Sequence, residues 1–453
     1  MSQHTASKND FSIGSISGNI LRLALPMTAA QLINVLYNVV DRIYIGHIPH
    51  ASSQALTGIG LTLPIITIIT AFANLFGMGG APLFCIARGA DEPDKAGAIM
   101  GNSFSMLVLS GFLLSILCGL FKRPLLYLFG ASDTTYPYAA SYLNIYLIGT
   151  LFVMISLGMN NFINAQGYGI TGMLTVSIGA LLNLILDPLF IFVFQMGVKG
   201  AALATIIAQL VSAIWVLHFL IYKKEIIPLS RKQLKLQSPL IREISALGMS
   251  GFVMSITNGS VQIICNATLQ HYGGDIYVGI MTVINSIREI VTMPVTGLTS
   301  GAQPVMSFNY GAKKYDRVRS AIRFTTICCI LLSLTAWALL FCFPHFFIQL
   351  FTDEPELLSQ GVPAMHLYFF GIFMMSLQFA GQSTFTALGK SRQAIFFSLL
   401  RKVIIVIPLT LLLPEIAGLG TTGIFLAEPI SNFIGGTACF VTMLFTVWPS
   451  LKS

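Results

Sequence analysis

Residues 171–195 read TGMLTVSIGALLNLILDPLFIFVFQ, and Asp187 is the one charged side chain among them. A helix needs about 20 mostly apolar residues to cross the hydrocarbon of a bilayer. This stretch is long enough, and its polar groups are too few to give a solvated face. Eleven more stretches have the same character: 21–47, 55–82, 97–120, 138–165, 200–222, 244–270, 276–304, 320–343, 361–388, 393–413 and 420–448. Pro and Gly interrupt several of them, which buried membrane helices tolerate. The expected fold class is therefore an all-α polytopic membrane protein with twelve transmembrane spans, numbered here in chain order. The quoted stretch is span 5.

The composition agrees. Charged residues are 9% and hydrophobic residues 55% of the 453, whereas soluble domains carry about 25% charged residues. So few charges cannot cover a water-soluble globule, which excludes a soluble enzyme and a disordered or fibrous chain. Seven cysteines show no CxxC and no His at metal spacing, so they read as small hydrophobes. The first 20 residues lack an apolar core before a cleavage site, so no signal peptide is expected.

Lys and Arg set the orientation. With the N-terminus inside, eighteen of the 25 face the cytoplasm, including six between Tyr222 and Arg242. Lys122, Arg123 and Lys199 face outward, and Arg42, Arg288, Arg401 and Lys402 fall in spans. Both termini are expected in the cytoplasm. The net charge of +8 then reflects topology and contact with anionic membrane lipid, not nucleic acid.

The halves repeat at an offset of 222. Gly79 matches Gly301, Pro82 Pro304, Gly89 Gly311, Asp94 Asp316, Tyr146 Tyr368, Gly149 Gly371, Ala165 Ala387 and Gly167 Gly389. The loop GADEPDKA (89–96) matches GAKKYDRV (311–318). Six spans per half is an even number, so the repeat is parallel, about an axis along the membrane normal. The expected units are 1–222 and 244–453, joined by a cytoplasmic linker at 223–243. Two such bundles about a cleft suit alternating access.

An acid at membrane depth is a functional candidate by default. Asp41, Asp187, Glu289 and Glu428 qualify. Helical rise places Asp41 roughly 30 Å and Asp187 roughly 24 Å above the inner face, and Thr205 about 8 Å below the outer one. Asn183 and Asp187 are spaced i, i+4, as are Tyr37 and Asp41, so each pair shares a helix face. Carboxylates with an amide, a hydroxyl and a phenol offer a hard cation such as Na⁺ the oxygen ligands it prefers, by analogy with Ca²⁺ and Mg²⁺. The same pair could hold a proton. The plainer alternatives are an Asp41–Arg42 or headgroup pair and an Asp187 that caps a Pro188 kink. In the second half, Glu289 and Arg401 or Lys402 reach similar depths, which suggests a structural ion pair. Arg288 is another partner for Glu289, and Glu428 before Pro429 is a further candidate for the cavity or an ion pair. Asn160, Asn161 and Asn164 read as interhelical glue. Pro26 frees a carbonyl in span 1 and is a candidate hinge.

Four segments carry a resemblance. LPMTAAQLINVLYNVVDRIYIGH (25–47), NLILDPLFIF (183–192), GAQPVMSFNYGAKKYDRVR (301–319) and LAEPISN (426–432) together resemble the multidrug and toxic compound extrusion (MATE) transporters, most of all the prokaryotic DinF-type and MepA-type branch. The resemblance runs over nearly the whole chain. It implies two six-helix lobes about a V-shaped central cavity and export driven by an inward Na⁺ or H⁺ gradient. In the DinF-like branch the cation site is an Asp on span 1, an Asn and an Asp on span 5 and a Thr on span 6. Those positions match Asp41, Asn183, Asp187 and Thr205 here, with Tyr37 beside them. A coupling acid in the second lobe, found in other branches, does not map onto Glu289.

The expected function is a Na⁺- or H⁺-coupled antiporter in the cell membrane that exports amphipathic, mainly cationic organic compounds. It is expected to act as a monomer without a cofactor. The alternative within the superfamily is a flippase for lipids or lipid-linked oligosaccharides. A membrane-embedded enzyme has no support, since no GxSxG, phosphate loop or metal cluster is present.

Overall fold

A computed structural model of the chain describes residues 10–48, 57–223, 226–352 and 354–451, and all their side chains except those of residues 42, 46 and 417. Lys8, Lys224, Lys452 and the Arg42 side chain, used above for orientation or pairing, lie outside what is described.

The described residues form helices and no strands. Among the described residues nine helices are long and apolar enough to cross a membrane, and two bent pairs each make one span more. The longest of the nine, Ser238–Gly311, breaks at Gly274, where φ is 70° and ψ −167°. It therefore supplies spans 7 and 8, and twelve spans result. The others are Ile16–Ile45, Thr57–Gly89, Pro93–Leu120, the pair Tyr136–Ile148 and Thr150–Ala165, Gly169–Val193, Val198–Tyr222, Tyr315–Cys342, the pair Pro355–Phe369 and Ile372–Ala387, Ser391–Leu412 and Thr421–Leu451. Span 1 runs helically through Pro26.

The repeat is visible in the backbone. Span 4 bends by 57° at Gly149 and span 10 by 41° at Gly371, its repeat partner. Cys85 Sγ donates to the carbonyl of Ala165 (3.4 Å), and Ser307 Oγ, 222 residues on, donates to that of Ala387 (2.7 Å). The paired loops turn on non-glycine residues of positive φ, Asp91 (60°) and Lys313 (56°), again 222 apart.

Two compact units emerge. One contains Ala29–Phe252, the other Phe11–Thr28 with Val253–Ser453. These bounds differ from the expected 1–222 and 244–453, because hydrogen bonds tie both flanking segments down. In the first unit Asn102 accepts from Gln237 N (2.7 Å) and donates to Lys235 O (3.2 Å), while Ser105 donates to Leu234 O (2.9 Å). Gln166 makes a reciprocal pair with the Ile227 backbone (2.9 and 3.2 Å). The 223–243 segment is thus strapped along the first unit wherever it is described. In the second unit the Arg317 guanidinium donates to the carbonyls of Phe11, Ile13 and Gly14 (2.9–3.1 Å).

Packing inside each unit follows from small residues and rings. A Cβ on Gly77 would lie 2.7 Å from the Gly158 carbonyl oxygen, so spans 2 and 4 touch backbone to backbone there, as small residues permit in membrane bundles. Phe84 and Phe162 meet edge to face at 5.6 Å in the same unit. In the second unit Phe385 and Phe397 stack at 5.7 Å.

Candidate cation site and the second-unit charge cluster

In the first unit the i, i+4 pairs of spans 1 and 5 point at each other. The Asp41 and Asp187 side chains are close neighbours. Asp187 and Asn183 are each 1% exposed. The Asn183 amide is satisfied with its NH₂ donating to Asp187 Oδ2 (2.5 Å) and its oxygen accepting from Thr205 N and Oγ1 (3.2 Å each). The amide orientation follows from its neighbours, as it must where hydrogens are not seen. Thr205 Oγ1 also lies 3.0 Å from the Ala201 carbonyl. Asp187 Oδ1 is buried and has no hydrogen-bond partner among the described residues.

Local backbone explains part of this arrangement. Pro188 has no N–H to continue the helix, and Leu189–Val193 form a wider π turn directly after it. Such turns recur at functional sites in helices.

Span 4 contributes two groups that the sequence reading did not place in the site. Tyr37 and Tyr142 both bring their phenols up to Thr205, and Tyr146 lies beside Tyr37. Tyr142 and Tyr146 stack at 6.0 Å and are buried. The signal was available: YLNIY (142–146) puts two phenols at i, i+4 on one face of span 4, yet Tyr146 enters above only as the repeat partner of Tyr368. The cluster borders a cavity with an empty volume of 770 Å³, its mouth included. Neutral polar groups line that cavity, among them Gln31, Asn34, Asn160 and Gln209, and Tyr37, Asn183 and Thr205 reach it from the cluster.

The chemistry of this donor set is restricted. All its groups are oxygen ligands or an amide, and two are carboxylates whose like charges oppose each other unless a cation or a proton joins them. No three His, Cys, Asp or Glu residues among those described gather as a metal site, so a transition-metal role has no basis in the side chains. An alkali cation or a proton fits the carboxylates and the orphaned Asp187 Oδ1. Asn160, read as glue, does cross between helices: its Nδ2 donates to Gly172 O of span 5 (3.2 Å).

The second unit has a buried cluster of the opposite sign. Glu428 Oε1 accepts from Arg401 Nη2 (2.7 Å) and Lys402 Nζ (3.4 Å), and Arg288 Nη1 lies 3.8 Å away. This corrects the expected pairing of Glu289 with Arg401 or Lys402. Glu289 is exposed on its unit, and both bases turn to span 12 instead. Arg401 and Lys402 sit on a π turn, Leu400–Val406, whose wider winding lets two adjacent residues reach one carboxylate. A second π turn, Asn432–Gly436, follows Glu428 and Pro429, as one follows Asp187 and Pro188.

Twelve apolar helices in two repeated units, each with a buried charged cluster at a polar cavity, define a multi-pass membrane transporter and not an enzyme. The chain belongs to the MATE family. The MatE family model matches residues 26–189 and 251–412, one segment in each half. Among curated proteins the chain is similar to the Multidrug export protein MepA of Staphylococcus haemolyticus (strain JCSC1435), 25% identical over 440 residues, which are 97% of this chain and 94% of that protein. It is also 25% identical over 402 residues to MepA of Staphylococcus aureus (strain NCTC 8325 / PS 47), 88% of each chain. Among solved structures it shares its fold with an outward-facing MATE transporter of the MOP superfamily, at a TM-score of 0.92, 20% identity and 99% coverage of both chains.

Proposed function

We propose that the protein is a cell-membrane antiporter that uses an inward Na⁺ or H⁺ gradient to export amphipathic, mainly cationic organic compounds by alternating access. Both termini face the cytoplasm in this reading. The observation that carries it is the neighbouring pair Asp41 and Asp187, the latter bonded by Asn183, which Thr205 holds, at the edge of a polar cavity. The export of multiple drugs named for the MepA relatives supports the substrate class.

The coupling follows from charge. Entry of Na⁺ or a proton removes one negative charge from the carboxylate pair and changes how span 1 packs on spans 5 and 6. An ion shifts a conformational equilibrium only by its differential affinity for the two states. Ion and drug must then weaken each other's binding reciprocally. Pro26 on span 1 is the bending point we assign to this change. The test is dye efflux from proteoliposomes under separately imposed Na⁺ and pH gradients, with drug affinity in detergent titrated against both ions in wild type and Asp41→Asn. Efflux under one gradient, and ion-dependent affinity that flattens in Asp41→Asn, is expected. Flat affinity in wild type for both ions overturns the coupling site.

A further inference from the structure

The charge cluster of the second unit is unbalanced. Arg288, Arg401 and Lys402 converge on one carboxylate, Glu428. Arg401 is held through both Nη atoms, since Nη2 donates to Glu428 Oε1 at 2.7 Å and Nη1 to Asn432 Oδ1 at 3.0 Å. Arg288 is not: its 3.8 Å approach to Glu428 exceeds a hydrogen bond. No side-chain acceptor for its five N–H donors occurs among the described residues. Arg288 and Lys402 both line a small, partly open cavity. The other polar walls are Asn258, Gln262, Asn285 and Tyr368, all neutral.

Position in the repeat sharpens the contrast. Tyr368 is the repeat partner of Tyr146, which stands in the first-unit cluster; at the matching left-handed glycines Gly197 (φ 53°) and Gly420 (φ 51°) the offset has become 223, so Thr205 of that cluster corresponds to Glu428 itself. Corresponding places in the two units thus hold an excess of acid and an excess of base. Excess positive charge in a medium of low dielectric is costly unless a counter-charge joins it. A guanidinium fork with a nearby ammonium matches two oxygens of a carboxylate or phosphate, and the neutral amides can donate to the remaining oxygens.

We propose that this cavity is an anion-binding site that takes the carboxylate or phosphate group of an amphiphile, with Arg288 and Lys402 as its ligands. The site extends the substrate range to zwitterionic and acidic amphiphiles. It does not depend on cation coupling in the first unit. A soluble organic acid and a phospholipid headgroup present the same chemistry to it.

The experiment uses the full chain in neutral detergent at low ionic strength, with trifluoroacetate and monofluorophosphate as ¹⁹F NMR probes. Saturable line broadening is expected, reversed by unlabelled acetate or phosphate. Loss of a charged hydrogen-bonding partner should weaken it at least about tenfold in Arg288→Gln, with Arg288→Lys closer to wild type. Glu428 keeps Arg401 and Lys402 in both variants, so the fold has no reason to fail. Asp187→Asn should bind the probes normally, which separates this site from the coupling reading. Repeating the titration in nanodiscs identifies the source: probe displaced by phosphatidylglycerol but not by phosphatidylcholine marks a headgroup, and no displacement by either marks a soluble acid. Broadening that never saturates, or that is equal in Arg288→Gln, overturns the proposal and leaves a neutral Lys402 amine as the relief of the excess charge.

Discussion

Glu428 Oε1 lies 2.7 Å from Arg401 Nη2, and this one carboxylate also faces Lys402 and Arg288. Removing its charge leaves three cations with no acid among them. Glu428→Gln is expected to cost about 3–5 kcal/mol, the usual scale for breaking a buried pair by one partner. Arg288→Gln should cost under about 1 kcal/mol, because Arg288 is partly exposed and its contact with Glu428 is long. Folded yield and apparent Tm in detergent decide this, and equal losses for the two variants would refute the ranking.

Asp187→Asn keeps the shape of the site and removes one charge. Coupled efflux should fall to the level of empty vesicles at normal expression. Adding Asp41→Asn should do little more, because groups that act as one unit are not additive. Near-normal efflux by the single variant would take Asp187 out of the mechanism.

Tyr142 and Tyr146 test the part of the site that span 4 supplies. Tyr142→Phe removes one hydroxyl from the surroundings of Thr205 and leaves the ring stack in place. It should weaken the ion dependence of drug affinity several-fold, on the scale of a lost hydrogen bond of about 1 kcal/mol. Unchanged ion titrations would confine Tyr142 to packing.

The bend glycines differ in what surrounds them. A Cβ on Gly149 would meet Ile206 at 2.5 Å, whereas on Gly371 the nearest atom is a Phe433 ring carbon at 3.0 Å. Ile206 is β-branched and stiff at χ1, so Gly149→Ala should cost about 1–3 kcal/mol by overpacking, and Gly371→Ala less. Thermal unfolding of both variants reads this directly, with the reverse order as the refuting result.

Orientation is open to labelling. On a cysteine-free background, an impermeant maleimide added outside cells should miss Lys232→Cys and reach Glu354→Cys, both at exposed positions. The opposite pattern would invert the topology.

The number and class of the spans were legible in the sequence because the requirement is local. Any stretch that crosses hydrocarbon must be apolar for about 20 residues and must satisfy its own backbone. The repeat was legible for a similar reason: the backbone that turns at Asp91 and Lys313 and bends at Gly149 and Gly371 is set by short motifs that recur 222 residues apart. Helical spacing alone put Asn183 with Asp187 and Tyr37 with Asp41. Which faces then meet depends on how each helix is rotated and wound, and no local pattern encodes that. Depth alone matched Arg401 with Glu289, but the π turn at Leu400–Val406 turns both bases toward Glu428 on the neighbouring span. The same distinction governs Tyr142, whose one-turn spacing from Tyr146 was plain in span 4 but whose approach to Thr205 required spans 4 and 6 to pack. The 223–243 segment reads as a polar linker, yet hydrogen bonds of the Asn102, Ser105 and Gln166 side chains fasten it to the first unit. Contacts of that kind come from residues more than sixty positions away, and only the tertiary structure brings them together.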